Sequence, residues 1–109
     1  MSAERPLVSV LIPCYNASQW VGETLDSVFA QTYRPMEVIV VDDGSTDGSD
    51  SVLARFADRG VTVIRQENRG SSAALNRCLD VARGELIQFL DADDLLSPEK
   101  IELQAVRLG

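Results

Sequence analysis

Short apolar runs alternate with segments of helical periodicity along this sequence, and that alternation constrains the fold more than any other feature. Runs of β-branched and other apolar residues predict four buried strands, at residues 8–12, 36–41, 61–64 and 85–90. Because these runs are apolar throughout, both faces of the sheet are expected to be covered. Strands separated by helices pair in parallel through right-handed crossovers. The sequence therefore predicts an α/β fold with four mainly parallel strands and helices on both faces.

The segments between the strands carry helix signals. Apolar residues recur at helical spacing from Trp20 to Phe29, and Ser18 is the predicted N-cap of this first helix. Gly84 is predicted to end the third helix as a left-handed C-cap. Serine, proline and glutamate at residues 97–99 predict the start of a last helix.

Composition limits what such a domain can bind. The chain has 109 residues, is 45% hydrophobic and has a net charge of −7, from 17 acidic residues and 10 Lys and Arg residues. An acidic chain is a poor partner for nucleic acid, whose phosphates need clustered Lys and Arg. No apolar run reaches the roughly 18 residues of a membrane span, and no signal-peptide pattern is present, so a cytoplasmic location is expected. An anionic ligand would need a local device such as a metal ion or a helix N-terminus.

The residue types present also exclude several kinds of active site. The chain has 2 cysteines, Cys14 and Cys78, and 0 histidines. A zinc site of the usual Cys/His kind and a histidine-dependent triad are therefore excluded. Both cysteines are predicted to be small apolar filling residues with free thiols. Carboxylates remain the only plentiful groups for catalysis or metal binding.

Polar segments follow three of the four predicted strands, at residues 13–16, 42–45 and 91–94. Ligands of open α/β sheets bind beyond the carboxyl ends of the strands, so these segments are expected to meet at one edge. The carboxylates gathered there would repel one another unless a hard cation such as Mg²⁺ or Mn²⁺ joined them together with ligand phosphates. Tyr15 offers a flat face on which a base could stack. Taken singly, residues 42–45 also fit a helix cap and Tyr15 also fits a packing residue.

These segments resemble glycosyltransferase family 2, whose members have the GT-A fold. The matching segments are VSVLIPCYN at residues 8–16, EVIVVDDGSTD at 37–47, NRG at 68–70 and DADD at 91–94. Order and spacing agree over residues 7–105. The resemblance implies a Rossmann-like half of a GT-A enzyme that takes a nucleotide-diphospho-sugar, with a UDP-sugar favoured. The sugar would pass to an acceptor hydroxyl, on a saccharide or lipid not specified by this chain, with inversion at the anomeric carbon.

The resemblance assigns residues to the nucleotide. The Pro13 backbone and the Tyr15 ring would contact the base, and Asp43 would hydrogen-bond the base edge while Asp42 supports the loop. The Asp-X-Asp motif at residues 91–93 would meet the ribose and the metal. The implied nucleotide-binding set is Pro13, Tyr15, Asp42, Asp43, Asp91 and Asp93.

The resemblance also implies a divalent metal, Mn²⁺ or Mg²⁺. Its ligands would be Asp93 and Asp94, with Asp94 as the direct one. The metal would neutralise the diphosphate and stabilise the departing nucleoside diphosphate as a Lewis acid.

The catalytic base of the family has no counterpart in this sequence. It normally lies well downstream of the Asp-X-Asp motif, and only Glu99 and Glu102 follow Asp94, both with the character of helix-start or surface acids. Residues 1–109 are therefore expected to form the nucleotide-sugar-binding part of such an enzyme, inactive alone and without the acceptor-binding half. A non-catalytic nucleotide-sugar-binding module, a homo-oligomer, and placement at the inner membrane surface through regions beyond this chain all stay open.

Two other folds with ligand sites at a parallel sheet edge fit less well. A phosphoacceptor receiver domain needs an acidic pair after its first strand and a lysine after its fifth, whereas Tyr15 and Asn16 follow the first strand and the only lysine is Lys100. A dinucleotide-binding Rossmann domain needs a glycine-rich turn after its first strand, and residues 13–18 contain no glycine.

Overall fold

Strand and helix alternate through the whole of the computed structural model, which describes residues 5–101. The elements in chain order are β1 (Val8–Cys14), α1 (Val21–Phe29), β2 (Met36–Asp42), α2 (Ser49–Ala57), β3 (Thr62–Arg65), α3 (Ser71–Val81) and β4 (Leu86–Phe89). All strand pairs are parallel, and the strand order is β3-β2-β1-β4. The predicted α/β fold with a parallel sheet is confirmed. The direction of winding reverses between β1 and β4, which places a topological switch point beside the carboxyl end of β1.

Two apolar layers cover the sheet, one on each face. One layer joins alternate residues of β1 and β2 to the buried faces of α1 and α2, and it contains Val10, Ile12, Val40, Leu25 and Leu53. The opposite layer is smaller and joins the sheet to α3 through Leu11, Ile39, Val41, Ala74 and Cys78. The prediction of helices on both faces is confirmed, because strand residues alternate between the two layers.

Both cysteines are buried and free, in agreement with their predicted role as packing residues. Burial raises the pKa of the Cys14 thiol and of the Cys78 thiol to about 11. Both side chains are therefore neutral thiols at physiological pH and poor nucleophiles.

The structure corrects the predicted N-cap of α1. Ser18 does not cap the helix with its side chain, and α1 begins at Val21 without a side-chain cap. The backbone N–H groups of Trp20 and Val21 donate instead to the carbonyl oxygen of Ala17, so that a tight turn leads into the helix. The last helix begins at Lys100, and the rest of its predicted length lies outside the described residues. Among the described residues, no helix has the length and apolar character needed to span a bilayer.

Gly84 is also not the left-handed C-cap that the sequence predicted. The helix α3 ends at Val81 and the chain becomes extended at Ala82, and Gly84 does not have a positive φ. Its backbone N–H donates to Ser9 Oγ at 2.8 Å. A Cβ atom on Gly84 would lie 2.4 Å from Ser9 Oγ and 2.8 Å from the carbonyl oxygen of Leu7. Glycine is needed here because two segments of backbone pass too close for a side chain.

Gly84→Ala is therefore expected to lower the free energy of unfolding by about 1–3 kcal/mol, the usual cost of forcing extra atoms into a packed site. Gly22→Ala in α1 is the matched control, because its Cβ would make an ordinary contact 3.7 Å from Val52 Cγ1. Alanine is also the better helix former, so the control should be neutral or stabilised by roughly 0.4–1 kcal/mol. Urea unfolding measures both changes, and equal stability of the two variants would contradict the close-approach explanation.

Candidate functional site

A cavity of about 440 Å³ opens at the carboxyl edge of the sheet, beside the switch point. We call it the edge cavity. Its lining is formed by residues 13–17 at the end of β1, Trp20 before α1, Asp43 after β2, residues 68, 70, 71 and 74 around the start of α3, and residues 91–93 after β4. The polar segments that follow β1, β2 and β4 in the sequence therefore meet in one concave site.

Two aromatic side chains line the edge cavity. Tyr15 is 52% exposed and Trp20 is 49% exposed, so about half of each residue is accessible to solvent. Pro13 lies in the same wall, half-buried at the end of β1. Sequence reasoning missed Trp20 as a site residue, because its helical spacing with apolar neighbours indicated core packing. The sequence held no local signal that would have placed Trp20 in the site.

Asp42 does not line the edge cavity. The side chain is buried, one oxygen accepts the backbone N–H of Ser45 at 3.0 Å, and the other pairs with Arg65 at 2.8 Å. Arg65 also donates to the carbonyl oxygen of Ser45. Asp42 therefore holds the loop after β2 together from below.

Asp43 lines the cavity but is only 2% exposed. Its carboxylate is surrounded by N–H donors. Its Oδ1 accepts from the Gln66 amide at 2.9 Å and from the backbone of Arg69 at 2.8 Å. Its Oδ2 accepts from the backbone of Gly70 at 2.9 Å and from the Asn68 amide at 3.3 Å. The carboxylate thus ties the loop after β2 to residues 66–70 after β3.

The charge state of Asp43 follows from this surrounding. Burial alone would raise the pKa of the carboxyl group, but hydrogen bonds from Gln66, Arg69 and Gly70 outweigh it and hold the pKa below its ordinary value. The group is therefore ionised at neutral pH.

Gly44 allows the close approach of the two loops, because its φ is +78° and a Cβ there would lie 2.9 Å from the backbone nitrogen of Asn68. Gln66 was missed by sequence reasoning, which had no local signal for it.

Three carboxylates cluster in the acidic turn, which comprises residues 91–94. Oxygen atoms of Asp91, Asp93 and Asp94 all lie within 4.8 Å of one another, and all three residues are exposed. Asp91 and Asp93 also line the edge cavity, whereas Asp94 is not part of its lining. Several carboxylate oxygens at this separation are the donor set that Mg²⁺ and Mn²⁺ prefer, so the residues present fit a hard divalent cation.

The acidic turn is anchored to α1 from below. The hydroxyl of Thr24 donates to the carbonyl oxygen of Ala92 at 2.8 Å, and both residues are buried. The backbone N–H of Asp94 donates to the carbonyl oxygen of Asp91 at 3.0 Å, which closes the turn. These two hydrogen bonds hold the backbone that carries the three carboxylates. Thr24 is thus a supporting residue that sequence reasoning did not find.

This chain also matches a known protein family and several curated proteins. The family model described as "Glycosyl transferase family 2" matches residues 9–108. The chain is 41% identical over 99 residues to the uncharacterized glycosyltransferase RT0329 of Rickettsia typhi, covering 91% of this chain and 31% of that protein. It is also 41% identical over 99 residues to glycosyltransferase GlyG of Streptococcus pneumoniae, covering 88% of this chain and 33% of that protein. The chain thus spans about a third of the length of these curated relatives.

Solved structures agree in fold. S. aureus TarS 1–349 in complex with UDP-GlcNAc superposes with a TM-score of 0.85 at 31% identity, covering 91% of this chain and 30% of that chain. The mannosyltransferase PcManGT of Pyrobaculum calidifontis, in complex with GDP-Man and Mn²⁺, superposes with a TM-score of 0.83 at 37% identity, covering 96% of this chain and 32% of that one. The four-stranded sheet is that of GT-A glycosyltransferases.

Proposed function

The chain belongs to glycosyltransferase family 2, and from that premise we propose that its edge cavity binds a nucleotide-diphospho-sugar donor for transfer of the sugar to an acceptor hydroxyl, with inversion. One observation carries the proposal. The exposed Tyr15, the ionised carboxylate of Asp43 and two carboxylates of the acidic turn, those of Asp91 and Asp93, line a single cavity, and the Asp94 carboxylate lies within 4.8 Å of those two. A base, a ribose and a diphosphate need these three kinds of contact.

The base is expected to occupy the side of the cavity formed by residues 13–17. The Tyr15 ring would stack on the base, and the backbone of Pro13 would border its edge. All four lone-pair directions of the Asp43 carboxylate already receive N–H groups. A base N–H would therefore replace the longest of these bonds, the one from the Asn68 amide at 3.3 Å. Asp42 would act below, by holding the loop in place.

The diphosphate is expected beside the acidic turn. In a chain with a net charge of −7, phosphate groups next to three carboxylates would be repelled without a cation. Asp93 and Asp94 would hold Mn²⁺ or Mg²⁺, with Asp94 as the direct ligand, and Asp91 and Asp93 would meet the ribose. When bound, the ion would supply the Lewis acid that neutralises the diphosphate and stabilises the leaving nucleoside diphosphate.

The nucleotide of the donor is a further part of the proposal. The structural relatives bind UDP-GlcNAc in TarS and GDP-Man in PcManGT, and we favour a UDP-sugar for this chain.

The acceptor site and the catalytic base would lie in sequence outside these residues, so that this chain alone binds the donor without transferring sugar. The exposed face of β4, where Ile87 is 39% and Phe89 is 52% exposed, is the surface on which that acceptor-binding half would pack.

A binding titration paired with a sugar-release assay tests the proposal. The chain has 1 tryptophan, and Trp20 lines the cavity, so its fluorescence should report UDP binding in the presence of Mn²⁺. UDP is expected to bind more tightly than GDP, and UDP-GlcNAc should bind without release of its sugar. Failure to bind either nucleotide would contradict the proposed site. Sugar release would overturn the expectation that this chain alone is inactive.

Tyr15→Ala is expected to weaken UDP binding by about 5- to 150-fold, because stacking of a base on an aromatic ring contributes roughly 1–3 kcal/mol. Phe89→Ala is the matched control, since Phe89 is 52% exposed like Tyr15 but lies outside the edge cavity. The control should keep the affinity of the unmodified chain in the same fluorescence titration. Equal affinities of the two variants would place the base elsewhere.

A further inference from the structure

The turn that carries Tyr15 is held from outside itself. We call residues 15–18 the Tyr15 turn, and residues 42–49, from the last residue of β2 to the first residue of α2, the central loop. Three successive backbone N–H groups of the turn each donate to a different side chain of the central loop. Those of residues 16, 17 and 18 donate to Ser45 Oγ at 2.9 Å, Ser49 Oγ at 3.1 Å and Asp47 Oδ2 at 3.0 Å.

The bonding also runs in the opposite direction. The backbone N–H of Thr46 donates to the side-chain oxygen of Asn16 at 2.8 Å, so the two segments are joined reciprocally. Asn16 has a φ of +49°, a left-handed conformation that costs roughly 1–2 kcal/mol in most residues and that Asn tolerates best. Contacts with the central loop therefore hold the backbone of the turn, and the Tyr15 side chain projects from the residue directly before these held amides.

Asp47 joins this network at two places. Besides the N–H of Ser18, its carboxylate accepts the Ser49 backbone N–H at 3.0 Å and the Ser49 hydroxyl at 2.6 Å. The same Ser49 hydroxyl oxygen accepts the N–H of Ala17. Asp47 thus holds residue 18 directly and residue 17 through Ser49. The side chains of Ser45, Asp47 and Ser49 do not line the edge cavity. They would therefore affect a bound ligand through the turn and not by direct contact.

We propose that Ser45, Asp47 and Ser49 are positioning residues for the nucleotide, acting through the Tyr15 turn to hold the Tyr15 ring against the edge cavity before a ligand arrives. This inference rests on the proposed function of the cavity. A ring fixed in advance binds a base with a smaller loss of conformational entropy than a ring that must be ordered on binding. The side chains of the DGSTDGS segment therefore contribute to affinity without touching the ligand.

Asp47→Asn is the informative change. The amide keeps one acceptor oxygen but places an NH₂ donor against N–H groups that need an acceptor. Asp50→Asn is the matched control, because Asp50 is an exposed acid three residues after Asp47, in the first turn of α2. It removes the same charge, and in the described part of the chain it has no hydrogen bond to the Tyr15 turn.

A double-mutant cycle separates positioning from a general loss of stability. The dissociation constant of UDP with Mn²⁺ is measured for the unmodified chain, Asp47→Asn, Tyr15→Ala and the double variant, at a temperature where circular dichroism shows all four folded. Asp47→Asn should weaken binding roughly 3- to 30-fold when Tyr15 is present and by less than twofold when it is absent. Asp50→Asn should change nothing. An equal loss in both backgrounds would overturn the proposal.

A second readout needs no ligand. Amide hydrogen exchange of residues 16–18 should be faster in Asp47→Asn than in the unmodified chain, and unchanged in Asp50→Asn. Unaltered protection of these amides in Asp47→Asn would overturn the proposed network even if UDP binds. Absence of UDP binding by a chain with well-protected amides would instead contradict the proposed function, and with it the role of the network in ligand binding.

Discussion

Asp94→Ala is expected to abolish the Mn²⁺-dependent part of UDP binding and to leave the fold unchanged. Asp94 is exposed, so its truncation opens no cavity in the core, yet its carboxylate lies within 4.8 Å of those of Asp91 and Asp93. Removing one of three carboxylates lowers both the number of oxygen ligands and the charge that attracts a cation. Changes outside a ligand set alter metal affinity by roughly 10- to 100-fold, and loss of a direct ligand should exceed that.

Calorimetric titration with UDP, with and without Mn²⁺, measures this effect. The unmodified chain should bind UDP tightly only with the metal, and EDTA should reduce its affinity to that of Asp94→Ala. Asp80→Ala removes the same charge from the exposed surface of α3 and should retain metal-dependent binding. If Asp94→Ala kept its full metal-dependent affinity, the acidic turn would not be the metal site.

Asp43→Asn is the second change with a large expected effect, and it should weaken both the fold and the site. The amide has a single acceptor oxygen, so about two of the four N–H groups around Asp43 lose their acceptor. These bonds are part-buried, and a hydrogen bond to a charged acceptor contributes roughly 1.5–3 kcal/mol. We therefore expect the free energy of unfolding to fall by about 2–5 kcal/mol, and UDP binding to weaken because residues 66–70 lose their tie to the central loop.

This stabilisation should depend on pH in a defined direction. The pKa of Asp43 is lowered from its ordinary value of 3.8, so its contribution to stability is fully present above about pH 5 and is lost as the pH falls through the lowered value. Urea unfolding between pH 7 and pH 2.5 should therefore show a difference between the unmodified chain and Asp43→Asn that shrinks only in acid. A difference that grew on acidification would contradict the assigned charge state.

Asp26→Asn provides the control for Asp43→Asn. Asp26 pairs with Arg59 at 3.4 Å, and both side chains are about half exposed or more, at 65% and 49%. Exposed pairs of this kind contribute less than about 1 kcal/mol. A loss of stability in Asp26→Asn as large as in Asp43→Asn would show that the effect is one of net charge and not of buried hydrogen bonds.

The elements of the fold could be predicted from the sequence because their signals are local. Apolar runs gave the four strands to within about two residues, and their uniform apolarity gave the two covered faces. Ser18 and Gly84 were misinterpreted because their partners are distant in sequence. The N–H of Ser18 donates to Asp47, 29 residues away, and Gly84 lies against Ser9, 75 residues away. A local pattern indicates a cap in both cases and cannot indicate a long-range contact.

The position of the site could also be predicted, because parallel strands bring their carboxyl ends to one edge. The roles of the individual residues within the site could not be predicted. Adjacent residues at a strand end point in opposite directions, so Asp42 holds the loop from below while Asp43 lines the cavity. Gln66 and Thr24 support the site only through the fold, which brings them against Asp43 and Ala92. The resemblance to the family assigned different roles to Asp42 and Asp43, but it did not indicate a role for Gln66 or Thr24.

A crystal structure of this chain grown with UDP and Mn²⁺, with data collected at the manganese absorption edge, would locate the nucleotide and the metal ion together. We expect an anomalous peak in contact with the carboxylates of Asp93 and Asp94, the diphosphate on that ion, and the uracil ring against Tyr15. A nucleotide bound away from the edge cavity, or a nucleotide in the cavity with its manganese bound at other residues, would contradict this expectation.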